Sequence, residues 1–246
     1  MNPITSAGIL IAVYALLCII VFLIGLRQAL RYTSLPTHTQ QRTLIITSLV
    51  IAGWMTLLHI LARQHVFAVQ GFPPRPMLTV LLGLIIILAI SFTSTAKIIL
   101  GVTPLYWLVF FQVFRVGVEL WFWYTYKTGV FPKLMTFEGA NLDIISGLLA
   151  LVTGFLILKK PSTARAITLF YNIAGILILL NTLRAAALSM PSPIQQYPFD
   201  ERLLLLGSPY FIYLPGILVV LALGLHILSL RQVSLQAGIK ATNGEQ

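Results

Sequence analysis

The stretch "LVFFQVFRVGVELWFWY", residues 108–124, sets Gln112, Arg115 and Glu119 inside an otherwise apolar run. A charge at a bilayer centre costs roughly 2.5–3.5 kcal/mol on insertion scales, so such residues are rare and are usually paired or functional. At about 100° per residue, Gln112, Arg115, Glu119 and Tyr126 share one stripe, while Phe110, Phe114, Gly117, Trp121 and Tyr124 lie opposite. The polar stripe is predicted to face the interior of a helical bundle and the aromatic one to face lipid. Arg115 and Glu119, four residues apart, are placed to form a charge-assisted hydrogen bond along the helix. The chemistry on offer is bidentate capture of a carboxylate or phosphate by the guanidinium, and carriage of a proton or cation by the glutamate.

Further polar residues fall at the same level of the chain's apolar runs. His59 and Arg63 share a face at the end of the second run, Asn181 and Arg184 at the end of the sixth, and Asp143 opens the fifth behind Asn141. Each has a plain structural reading: an arginine that snorkels to the interface, a histidine bonded within the bundle, an Asn cap with a carboxylate in the first helical turn. Together they motivate a polar cavity. Gly147, Ala150 and Gly154 form a stripe of small residues suited to close helix packing. Pro215-Gly216 predicts a kink in the last run, and Ser91, Thr93, Ser94 and Thr95 are read as hydroxyls bonding back to helix carbonyls.

Several chemistries are excluded. The only histidines are His38, His59, His65 and His226, with no HExxH or HxxxH pair, so a helix-borne zinc hydrolase is disfavoured. A mixed site of His59, Asp143 and Glu119 is the one metal arrangement left open. The single cysteine, Cys18, allows no intramolecular disulfide and no thiolate cluster. No phosphate-binding glycine loop, GxSxG elbow or CxxC occurs, and the last apolar run has no lysine for a retinal Schiff base. No cofactor is called for.

The elements that must position these residues follow from composition. Of 246 residues 58% are apolar and only 9% charged, with mean hydropathy +0.94, against about 25% charged in a soluble domain. The chain reads as an all-α integral membrane bundle. Its formal charge of +10 is spread singly over the ends of apolar runs, which suits topology signals and lipid head groups rather than nucleic acid. Seven runs are long enough to span: about 6–27, 43–63, 77–100, 105–126, 141–158, 165–188 and 209–230. The first has neither a basic residue before it nor a cleavage pattern after it and is expected to be a retained helix. One transmembrane domain, 1–230, is followed by a polar tail, 231–246, predicted to lack regular structure.

With the N-terminus outside, the inner segments hold nine basic residues (Arg27, Arg31, Arg42, Lys97, Lys159, Lys160, Arg165, Arg231, Lys240) and the outer ones six (Arg63, Arg75, Lys127, Lys133, Arg184, Arg202). This asymmetry predicts N-out and C-in. The outer connections are long and proline-rich, where a binding mouth is expected.

"QVFRVGVEL" and "MTFEGANLD" resemble the motifs Q-x-F-R-x-x-V-E and M-T-F-E-G-x-N-x-D of a family of uncharacterised bacterial integral membrane proteins. The resemblance covers about forty residues from Gln112 and implies the motif positions Gln112, Arg115, Glu119, Glu138, Asn141 and Asp143, in a bacterial inner membrane. It implies no substrate or mechanism. Ala140 stands where that family has arginine, which counts against an anion contact there.

The function these readings favour is a transporter or sensor of a small polar or anionic ligand. The pocket would face outward around the second, fourth, fifth and sixth helices, with Gln112, Arg115, Glu119, Glu138, Asn141, Asp143, His59, Arg63, Asn181 and Arg184 as candidate ligand-binding residues. A membrane-embedded enzyme using Glu119 or Asp143 as acid/base, and a structural or assembly partner, are the alternatives. A homo-oligomer is left open. The orientation is tested with Cys18 replaced: a cysteine at position 196 should react with an impermeant thiol reagent from outside and one at 162 should not, and the reverse pattern overturns N-out.

Overall fold

The structure, a computed structural model, describes residues 2–68 and 72–243, with side chains described as far as Leu235. It is all-helical, and no strand occurs among the described residues. The first two runs form α1 (Pro3–Arg31) and α2 (Thr37–Arg63). Asn2 caps α1 by accepting the Ile4 N–H at 3.0 Å. Among the described residues, five segments are long and apolar enough to cross a membrane: α1, α2, Leu105–Lys127, Ala164–Ala187 and Leu214–Leu235. A seventh-helix count is therefore not reached by length and composition alone.

The two remaining runs differ from expectation. The run predicted over 77–100 is two helices, α3 (Arg75–Ser91) and α4 (Ser94–Val102), bent by 80°. The hydroxyls explain the break: Ser91 Oγ donates to the Leu88 carbonyl and Thr93 Oγ1 to that of Ile90, each at 2.8 Å. Thr93 then caps α4 by accepting the Ala96 N–H. The run over 141–158 becomes α7 (Asp143–Lys159), 17 residues long and at the lower limit for a span.

The run over 105–126 is α5 (Leu105–Phe111) followed by α6 (Phe114–Lys127). Tighter bonds, Arg115 N–H to the Gln112 carbonyl and Val116 N–H to that of Val113, carry the chain across the join. The sixth run is α8 (Ala164–Ala187). The predicted Pro215-Gly216 kink is a π-helical turn, Leu214–Val219, leading into α9 (Val220–Asn243), and the Gly216 carbonyl accepts the Trp54 indole N–H at 2.9 Å. The tail predicted to be irregular from Arg231 continues α9 to Asn243, because Gln232 Nε2 donates to the Leu100 and Thr103 carbonyls and Val233 is buried. Residues 244–246 lie outside the described segment.

The π-turn and α9 form the axis of the bundle, packed by α3, α4, α5 and α8, with α1 against the π-turn. On the other side α7 packs on α5, α6 and α8, and α6 also meets α1. Two residues of the predicted aromatic stripe, Phe114 and Trp121, are consequently buried in the bundle, while Tyr124 of the same stripe is exposed. Trp121 donates to the Ala7 carbonyl at 2.9 Å, and Tyr14 packs where Gly117 has no side chain. α1 needs that face because its own polar partners lie there: Tyr14 Oη donates to the Phe114 carbonyl at 2.7 Å.

The small-residue stripe is a seam, as its composition predicts. A Cβ on Gly147 would come within 2.9 Å of the Val116 backbone nitrogen, and one on Gly154 would strike the Phe110 ring. Gly147→Val should therefore separate α6 from α7 and cost about 1–3 kcal/mol. Gly53→Ala, with nothing within 4 Å of the new carbon, should change stability by no more than about 1 kcal/mol. Thermal unfolding midpoints of the two variants in detergent check the difference.

Candidate functional site

Arg115 is 1% exposed, and all five of its N–H donors are engaged. Nε donates to Asp143 Oδ2 at 2.8 Å and Nη2 to Asp143 Oδ1, a bidentate pair between α6 and α7. Nη1 donates to Ser146 Oγ at 2.6 Å and meets His226 Nε2 at 2.9 Å, and Nη2 also reaches the Gly175 carbonyl at 3.4 Å. One side chain thereby joins α6, α7, α8 and α9.

The predicted Arg115–Glu119 bond is replaced by this arrangement. A guanidinium fork matches the two oxygens of a carboxylate on a facing helix better than one oxygen a turn along its own. With every donor occupied, Arg115 offers no free fork to an anionic ligand, so its expected role as anion anchor is not available in this conformation.

Because Arg115 donates to Nε2 of His226, that nitrogen is the acceptor and the ring hydrogen sits on Nδ1, 2.8 Å from Asn172 Oδ1. Asn172 Nδ2 then donates to Ser229 Oγ at 2.8 Å and to the Thr168 carbonyl. Gly175 makes this possible, since a Cβ there would collide with the imidazole. The network is continuous from the centre of the bundle toward the α8–α9 contact.

Glu119 is also 1% exposed, and its surroundings are different. Oε1 accepts from Asn141 Nδ2 at 2.7 Å, whereas Oε2 has no hydrogen-bond partner. Asn141 is held in turn on every side: it donates to the Met135 carbonyl and accepts from the Asp143 N–H and Thr182 Oγ1. It thus serves the start of α7 from one residue beyond the formal cap, Leu142. Glu119 lines a cavity of about 80 Å³ together with Arg115, Asp143 and Thr182. The rest of the lining is apolar, including Met77 and Val80 of α3, Val118 and Phe122 of α6, Leu179 and Leu183 of α8, and Leu214 and Leu218 of the π-turn.

Arg115, Glu119, Asn141 and Asp143 are the predicted residues that the fold brings together. Gln112 lies beside them in the chain but serves packing: Nε2 donates to the Ala222 carbonyl at 3.0 Å, tying the α5–α6 join to α9. The other candidates stand elsewhere. His59 stacks on Tyr213 and accepts from Arg63 Nε at 3.3 Å on α2, which does not line the cavity. Glu138 is a surface residue: the Trp123 indole N–H, foremost, and Lys127 hold its carboxyl below the ordinary glutamate range. Asn181 donates to the Ala140 carbonyl and accepts from Arg184, whose guanidinium also meets Tyr197. The cavity is bounded by α3, α6, α8 and the π-turn, with Asp143 of α7 and Ala222 of α9, and not by α2.

His226, Ser146 and Thr182 join the site without being candidates on sequence grounds. Ser146 had a signal, lying three residues after Asp143 and so on its face. Thr182 sits beside Asn181 but turns inward. His226 is a lone polar residue in an apolar run and carries no pattern of its own. Among the described residues, no cluster of three or more His, Cys, Asp or Glu side chains could hold a metal, so the mixed site of His59, Asp143 and Glu119 does not assemble.

No protein-family model, curated protein or solved structure matches the chain. The likeness at 112–119 and 135–143 rests on those motif residues alone, and function has to be argued from the site.

The geometry identifies Asp143, not Glu119, as the partner of Arg115. Arg115→Met alone should destabilise by about 3–5 kcal/mol by leaving a buried charge unpaired, and Arg115→Met with Asp143→Leu should recover much of that loss. Arg115→Met with Glu119→Leu leaves Asp143 unpaired and should stay at the level of the single variant. Unfolding midpoints in detergent distinguish these outcomes.

Proposed function

We propose that this chain is a seven-span membrane transporter or sensor, N-terminus outside, whose ligand or proton is held at Glu119 in a cavity reached from the end of the bundle that carries the long loops. The bent pair α3–α4 and the 17-residue α7 supply the sixth and seventh crossings in this reading. The observation that carries it is the open Oε2 of Glu119, a carboxylate oxygen buried without a partner on the wall of a cavity. A buried carboxyl oxygen without a partner is costly to keep, so it marks a place where a proton or a ligand binds.

The site also has the preorganisation that binding needs. Asn141 fixes one oxygen of Glu119, and the Arg115–Asp143 pair holds α6 and α7 in register around it. Outer-end residues line the mouth, with Pro74 and Pro76 before and within α3, Ala186 of α8, Met190 and Leu206. With Arg115 committed to Asp143, recognition centres on the carboxyl rather than on the guanidinium.

Dicyclohexylcarbodiimide, an apolar reagent that adds to protonated carboxyls in water-poor sites, tests the role of Glu119. In proteoliposomes it should modify Glu119, located by peptide mass spectrometry, with no corresponding adduct in Glu119→Gln. An unmodified Glu119 in folded wild-type protein overturns the reading.

A further inference from the structure

The charges and the shape of the cavity together define a ligand class. Arg115 and Asp143 cancel, and His226 is neutral because one ring nitrogen accepts and the other donates. Glu119 is then the one buried acid among the described residues without a compensating charge, and Oε2 is the one oxygen of that carboxylate still free. Two partners restore the balance: a proton, or a cation that donates a hydrogen bond.

The walls choose among cations. A divalent metal takes six or more oxygen ligands, and sodium likewise needs a shell of oxygens. Apart from Arg115, Asp143 and Thr182, which are engaged with one another or with Asn141, the cavity that Glu119 lines is walled by Met, Leu, Val, Phe, Pro and Ala side chains. An organic ammonium with a single N–H fits this donor set, its carbon substituents meeting the apolar lining. The cavity of about 80 Å³ is well below the roughly 300–1,000 Å³ of sites that enclose a drug-sized ligand, so it takes a head group and leaves a longer tail outside. The seam for the tail is the one between α3 and α8, because α3 rests on α9 and the π-turn and makes no extended contact with α8, although both line the cavity.

We infer that the Glu119 cavity binds the ammonium head of a cationic amphiphile in exchange for a proton, with the tail leaving between α3 and α8. The exchange balances as one carboxylic acid and one ammonium giving a carboxylate–ammonium pair and one released proton. The inference rests on the reading of Glu119 as the ligand-binding group and adds the substrate class and its route.

N,N-dimethylhexylammonium is a suitable probe, since the tertiary amine has one N–H when protonated and does not form an amide with an activated carboxyl. Hexanol serves as the neutral control of the same chain length. The cation should slow carbodiimide modification of Glu119 at least fivefold beyond the effect of hexanol, and its binding, followed by calorimetry in two buffers of different ionisation enthalpy, should release about one proton per site. Glu119→Gln, which keeps an oxygen for Asn141, should fold and release none. Normal modification of Glu119 with no extra protection by the cation, or binding without proton release, overturns the ligand class while leaving Glu119 as the reactive group. Failure of Glu119 to react at all falls on the broader functional reading instead. An Ala186→Trp substitution at the α3–α8 gap should weaken protection by the hexyl compound more than by trimethylammonium, and equal weakening of both overturns the route.

Discussion

Everything near the centre of this bundle is arranged around a guanidinium that water cannot reach. Stripping an arginine of water costs several kcal/mol, and the cost is offset only when all its donors are met with good geometry. Meeting them takes two oxygens from α7, a serine one turn further on, a carbonyl from α8 that is approachable because residue 175 is glycine, and an imidazole from α9. Four helices must therefore reach one register before Arg115 is satisfied. The requirement acts as a specificity device: alternative packings of apolar helices cost little in lipid, but any that leave Arg115 unmatched are heavily penalised.

The same constraint divides labour between the two acids. Asp143 is consumed by structure, because its position at the start of α7 aims both oxygens at the guanidinium. Glu119, one turn along α6, is thereby released from the ion pair and receives only an amide hydrogen on one side. A polar residue that the fold supports on one oxygen and leaves bare on the other has the asymmetry expected of a binding group.

The sequence made the long apolar helices, five of them of spanning length among the described residues, the Arg115–Asn141–Asp143 neighbourhood and the Gly147–Gly154 seam legible, because each depends on local periodicity or on a costly residue type in an apolar run. The partner of Arg115 was not legible. An i,i+4 rule sees only the helix it is applied to, whereas the choice between Glu119 and Asp143 is made by helix–helix geometry. The burial of Phe114 and Trp121 is not legible for a related reason: lipid and a protein core favour the same side chains, so neither residue carries a mark of which it faces. His59, Arg63, Asn181 and Arg184 share a depth along the apolar runs, and depth says nothing about azimuth. They are spread around the bundle and not gathered at one cavity.

The π-turn at Leu214–Val219 acts on the rest of α9 as a phase setting. A π-turn holds one residue more than the α-helical turn it replaces, and one residue corresponds to about 100° of rotation. Every side chain from Val220 onward therefore stands about 100° away from where an uninterrupted helix would have carried it. His226 meets Arg115, and Gln232 meets the Leu100 and Thr103 carbonyls, in this shifted phase. The turn at Pro215 and Gly216 thus sets the angular address of residues two to four turns away, and the Trp54 indole N–H on the Gly216 carbonyl ties that turn to α2.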